Sequence, residues 1–142
     1  MKTLVSLLIL LFSTVSYADT LESKEAAKLL VHSVMVLVGK GETIKGLNLT
    51  KPYLVIPDHE FERVLSSLKM QQSIIDQRFG KPIGMEFSNI EEVGASLMLI
   101  SYIQKFEKHM MRWKFYFYKP KNEWVLNTFN TDDKIQLMFD GS

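Results

Sequence analysis

The sequence predicts an α+β fold, with N-terminal helices packed on a curved antiparallel sheet of about four strands. Three observations predict it. The first half shows helical spacing of apolar residues, and the second half switches to strand-like alternation. Helices grouped before consecutive strands favour helices on one face of a meander over an alternating α/β sheet. The block Arg112 to Asp133, RWKFYFYKPKNEWVLNTFNTDD, is a hairpin that holds both tryptophans. In its first arm Trp113, Phe115 and Phe117 alternate with Lys114, Tyr116 and Tyr118. Successive strand side chains point to opposite faces, so one face is wholly apolar and the other carries amine and phenol tips. A lone hairpin is marginal in water, so the apolar face requires cover.

The elements follow in order. Leu21 to Val38 is expected to be a helix, capped by Asp19 or Thr20, with Asp19 and Glu22 at capping-box spacing. Ala27, Leu30, Val31, Val34 and Val38 form its apolar stripe, and Gly39 and Gly41 end it. Lys40 to Pro57, punctuated by Gly41, Gly46, Pro52 and Pro57, reads as a partly buried loop with room for a short turn of helix. The second long helix starts at Asp58, taken as its N-cap. It carries Phe61, Val64, Leu65, Leu68, Ile75 and Phe79 at helical steps, and Gly80 and Pro82 stop it. Ile83 to Ile90 is a short strand with Met85 and Phe87 on one face, broken by Glu91-Glu92 and Gly94. Ser96 to Glu107 is a longer strand, with a turn at Lys108-His109-Met110. Lys119 to Glu123 turns the hairpin, since Pro presets φ and Asn tolerates left-handed backbone. Trp124, Leu126 and Thr128 are placed on one face of the last strand, and Val125, Asn127 and Phe129 on the other. Asp132 and Asp133 are read as an N-cap pair for a short closing helix.

The N-terminus has the plan of a secretory signal peptide. Lys2 precedes an apolar run from Leu4 to Phe12, and small residues stand at Ser16 and Ala18. Cleavage is expected between Ala18 and Asp19, giving residues 1–18 as signal and 19–142 as one exported domain, periplasmic or secreted. The run is shorter than the roughly 20 residues of a spanning helix, so no stable membrane anchor is expected. With no cysteine, packing rather than disulfides must hold the fold. Removing Lys2 brings the 17 basic residues level with the 16 acidic ones. That balance argues against a nucleic-acid partner. Lys105, Lys108, Arg112, Lys114, Lys119 and Lys121 then read as guards of a solvated sheet edge.

The order of elements, with F-Y-F-Y-x-P-x-x-x-W-x-L-x-x-F over Phe115 to Phe129, resembles small exported bacterial members of the NTF2-like (cystatin-like) superfamily. The resemblance covers most of the chain after residue 18 and includes no catalytic signature. It implies a cone-shaped sheet wrapped around helices with a pocket at its mouth. The superfamily includes isomerases, dehydratases, transport factors and domains of no known activity, so fold alone assigns no role.

Candidate chemistry is sparse. Asp58-His59-Glu60 could suggest a metal site, but adjacent helical residues do not face one point, and zinc-ligand spacing is missing. No metal and no cofactor is therefore expected. His32 and His109 show no partner for a general base and read as surface residues. Asp76 lies beside the Ile75 and Phe79 stripe, where a carboxylate at a pocket rim would serve an isomerase or dehydratase. A solvated helix carboxylate is the preferred reading of Asp76. Tyr102, Tyr116 and Tyr118, with Trp113 and Trp124, are the candidate lining of an apolar ligand pocket. A plain core reading is preferred for the aromatics as a set. The expected role is a non-enzymatic exported domain binding a small apolar ligand or a protein partner. The alternatives are an enzyme using a pocket carboxylate and a homodimer assembled through the sheet face.

Overall fold

The computed structural model describes residues 18–139. Apart from Ala18, the signal-peptide reading lies outside the described residues. The elements are α1 (Lys24–Gly39), α2 (Thr43–Asn48), α3 (Asp58–Phe79), β1 (Pro82–Val93), β2 (Leu97–Phe106), β3 (Met110–Tyr118) and β4 (Val125–Asp132). Short 3₁₀ turns cover Lys51–Tyr53 and Ile135–Met138. The four strands form one antiparallel meander in the order β1-β2-β3-β4. The fold is α+β, with the helices on one face of the sheet, as the sequence predicts.

The core is the inward face of that sheet. Met98, Ile100, Trp113, Phe115, Phe117 and Leu126 are all buried there. Val31, Val34, Met35 and Val38 of α1 and Phe61 and Leu65 of α3 cover them. Between α3 and the sheet, the space bordered by Leu68, Ile75, Phe106 and Trp113 holds only about 10 Å³, and a cleft bordered by Ile74, Phe79, Met111 and Thr131 holds about 240 Å³. One polar side chain threads this core. Gln104 is 3% exposed. Its Oε1 accepts from Trp113 Nε1 at 3.0 Å, and its Nε2 donates to the Val38 carbonyl at 2.8 Å. The amide thus ties β2 to β3 and both to the end of α1.

Five local expectations are corrected. Helix α1 starts three residues late because Leu21 exchanges both backbone hydrogen bonds with Trp124, each 2.8 Å, and so belongs to the sheet. Its cap is Ser23, whose Oγ accepts from the Ala26 amide at 3.0 Å. The segment read as a loop holds α2 and a 3₁₀ turn. Helix α2 presses on α1 so closely that a Cβ on Gly46 would lie 2.8 Å from the Val34 carbonyl oxygen. The N-cap of α3 is Pro57, and Asp58 is its first residue without a side-chain cap bond. Strand β1 continues through Glu91 and Glu92 to Val93, and the chain reverses at Gly94, whose φ is +59°.

The fifth correction concerns β4. Its register shifts opposite Tyr116 and Phe117, leaving Asn127 as an extra residue. A bulge resets side-chain parity. Leu126 opposite Phe117 and Phe129 opposite Phe115 therefore share the inner face. The Phe115 and Phe129 ring centroids are 6.1 Å apart. The outer edge of β4 is covered by Leu21 and by Val55, whose amide donates to the Leu126 carbonyl at 3.2 Å.

Replacing Gln104 with Leu keeps the volume but leaves the Trp113 indole N–H buried without an acceptor. The Val38 carbonyl keeps its bond from the Gly41 amide at 2.9 Å. The expected loss is about 1–3 kcal/mol of unfolding free energy, read by urea denaturation. An unchanged midpoint would show that the amide contributes nothing.

Candidate functional site

The outward face of the sheet can be read rung by rung from the strand pairing. Val93, Leu97, Tyr118 and Val125 form the first rung, and Glu91, Leu99, Tyr116 and Thr128 the second. Asn89, Ser101, Lys114 and Asn130 form the third, and Glu86, Ile103, Arg112 and Asp132 the fourth. The face therefore grades from apolar and aromatic at one end to polar and charged at the other. After Asp132 the chain turns back, and the 3₁₀ turn brings Leu137 and Met138 against the polar end.

This arrangement makes a groove of two lobes. The polar lobe, about 340 Å³, is bordered by Ser88, Ser101, Arg112 and Lys114 and roofed by Leu137 and Met138. The apolar lobe, about 530 Å³, is bordered by Val93, Leu97, Tyr116 and Tyr118. Leu99 and Glu91 border both lobes, so the two adjoin. Each volume lies in the range of about 300–1,000 Å³ usual for small-molecule sites.

The polar lobe is built on one ion pair. Arg112, 7% exposed, donates from Nε and Nη2 to Asp132 Oδ2 at 3.1 and 2.8 Å. Its Nη1 lies 3.4 Å from the Leu137 carbonyl. Burial pushes the Asp132 carboxyl up, but the Arg112 hydrogen bonds, the Lys134 amide and the charges of Arg112 and Lys114 outweigh it. The net shift is below the ordinary value of 3.8. The Lys134 amide donates to Asp132 Oδ1 at 3.0 Å. Asp132 is therefore a strand-end anchor, and the position before the 3₁₀ turn is Lys134. The reading of Asp132 and Asp133 as an N-cap pair is thus corrected.

The candidate residues of the sequence divide between the two faces. Tyr116 and Tyr118 line the apolar lobe. Trp113, Trp124 and Tyr102 are buried on the helix side. Burial raises the Tyr102 phenol pKa, and its Oη lies 3.3 Å from His32 Nδ1, a partner that spacing in the sequence does not reveal. Asp76 is exposed on α3, accepts from Gln72 Nε2 at 2.7 Å, and borders neither lobe. His59 is exposed at the start of α3. His109 packs edge-on against Phe79 at 4.6 Å, with Nε2 3.1 Å from the Asp133 carbonyl. Among the described residues, no group of three or more His, Cys, Asp or Glu side chains is placed to hold a metal, and no helix is long and apolar enough to cross a membrane. Sequence reasoning missed Ser101, Arg112 and Lys114 as a set. The outward parity of Lys114 was legible, and the same alternation in β2 would have placed Ser101 beside it.

No protein-family model, curated protein or solved structure matches this chain.

Asp132→Asn should remove about 1–3 kcal/mol at neutral pH, because a nearly buried guanidinium loses its charged acceptor. Since the folded-state pKa is depressed, the carboxylate's contribution is fully present above its ordinary value of 3.8 and is lost as pH falls through the lower folded value. The gap between wild type and variant in urea denaturation should thus close below about pH 4. A gap that persists there would mean that charge is not its origin.

Proposed function

We propose that this chain is an exported, non-enzymatic binding domain of the NTF2-like kind that holds a small, largely apolar ligand on the outer face of its sheet. One contrast carries the reading: the outer face has an open apolar lobe of about 530 Å³, while under α3 the space beside Trp113 holds about 10 Å³ and the cleft at the Phe79 end about 240 Å³. The helices-then-meander order supports the kinship, and the signal-like pattern of residues 1–18 supports export. The ligand sits against Leu97, Leu99, Tyr116 and Tyr118, which offer flat apolar contact with phenol groups to orient it.

Native mass spectrometry of protein recovered from an exporting host tests the reading. The expected spectrum shows a chain beginning at Asp19 with a small non-covalent adduct that Leu99→Asp removes. A bare chain that no apolar compound stabilises against heat would sink the ligand reading. A mass that includes Met1 would sink export.

A second reading has its own observation. Val93, Leu97 and Tyr118 of the first rung are 69%, 46% and 42% exposed. Such a row suits a homodimer that packs two outer faces together. Sedimentation of the protein should then show a dimer that Leu97→Asp converts to monomer. A monomer at high concentration removes this reading and leaves the ligand reading standing.

A further inference from the structure

The polar lobe has features that an apolar ligand would leave unused. Ser101 is only 4% exposed as a residue and borders the lobe, and the side-chain hydrogen bonds found among the described residues leave its hydroxyl unengaged, whereas the fully buried side-chain atom without a partner is Thr131 Oγ1. A hydroxyl that borders a cavity and that no protein group engages is free to bond a ligand's polar atom. Lys114 stands directly across from Ser101 on β3. Among the described residues it has no ion pair, whereas Arg112 beside it is committed to Asp132. The lobe therefore places a lysine that forms no direct ion pair next to a free hydroxyl, under the Leu137 and Met138 roof. Glu91 is the opposing charge at the junction of the lobes, and it accepts from Asn89 Nδ2 at 2.9 Å on the exposed rim.

From the Ser101 and Lys114 rung to the Leu97 and Tyr118 rung is four residues along each strand, about 13 Å. Every outward residue of β2 and β3 past that polar rung is apolar or aromatic. The groove thus has a single cationic, hydrogen-bonding end and a single apolar end.

We infer that the groove takes an amphipathic monocarboxylate, its carboxylate held between Lys114 Nζ and the Ser101 hydroxyl and its chain laid over Leu99 toward Leu97, Tyr116 and Tyr118. This rests on the small-ligand reading above and gives it a chemical class. The carboxylate supplies Lys114 with a direct ion-pair partner and the Ser101 hydroxyl with an acceptor.

Calorimetric titration of the protein with decanoate, decanol and decyltrimethylammonium tests the class. Decanoate should bind about 10- to 100-fold more tightly than decanol, the margin of a charge-assisted hydrogen bond, and the cation should not bind. Lys114→Met should reduce decanoate to the decanol level while leaving decanol unchanged, and Ser101→Ala should give a smaller loss of the same kind. Melting curves of both variants check that each is folded. Equal affinities for decanoate and decanol, or decanoate binding that neither substitution weakens, would overturn the carboxylate assignment and leave groove binding intact. Absence of binding by all three probes would overturn both readings.

Discussion

The placement of Gln104 is the constraint on which the rest of the structure depends. Its amide joins the Trp113 indole and the Val38 carbonyl inside the core. Both bonds can form only if Gln104 and Trp113 face the helices together. Strand parity then fixes every other residue: Met98, Ile100 and Tyr102 go inward with Gln104, and Leu97, Leu99, Ser101 and Ile103 go outward. A slip of one residue would strand the indole N–H and turn the aromatic row into water. The hydrophobic effect supplies most of the stabilisation. The buried amide supplies discrimination between the two faces, because an unmade bond in a dry core costs more than a made one contributes.

The outer groove is a consequence of that parity. Once Trp113, Phe115 and Phe117 are committed inward, Arg112, Lys114, Tyr116 and Tyr118 must stand outward in that order. The gradient from charge to aromatic surface along β3 is thus written in one stretch of chain, and β2 repeats it with Ser101, Leu99 and Leu97. Two adjacent strands with the same gradient make a directional surface, whereas opposed gradients would have averaged it away.

Legibility in the sequence followed the range of the interaction. Period-two alternation is local, so the inward tryptophan row and the outward tyrosines could be read directly. Helix α3 was legible from Asp58 to Phe79 because its stripe is long and Gly80, with φ of +82°, ends it. What escaped depends on distant partners. Leu21 leaves the helix because Trp124 pairs with its backbone, 103 residues away in chain and adjacent in the sheet. Asp132 looks like a helix cap until Arg112 is seen opposite it. The Asn127 bulge has no residue signature of its own, since nothing in Leu126-Asn127-Thr128 marks which residue goes unpaired. Helix α2 is six residues long with no side-chain cap, too short for periodicity to register.

Why the two faces differ so sharply in filling is a question of what covers them. The inner face meets two long helices whose side chains pack on it, and α1 approaches β1 closely at Gly39, where a Cβ would lie 3.0 Å from the Gly84 carbonyl carbon. Among the described residues, the outer face meets only a four-residue 3₁₀ turn, held at its end by the Leu137 carbonyl near Arg112. So short a cover reaches the polar rungs and no further. The Arg112–Asp132 pair thus acts twice: it anchors the turn that roofs the polar lobe, and it occupies the guanidinium, so that Lys114 is the cation left facing the groove. The same contact that closes one end of the outer face sets the charge of what remains open.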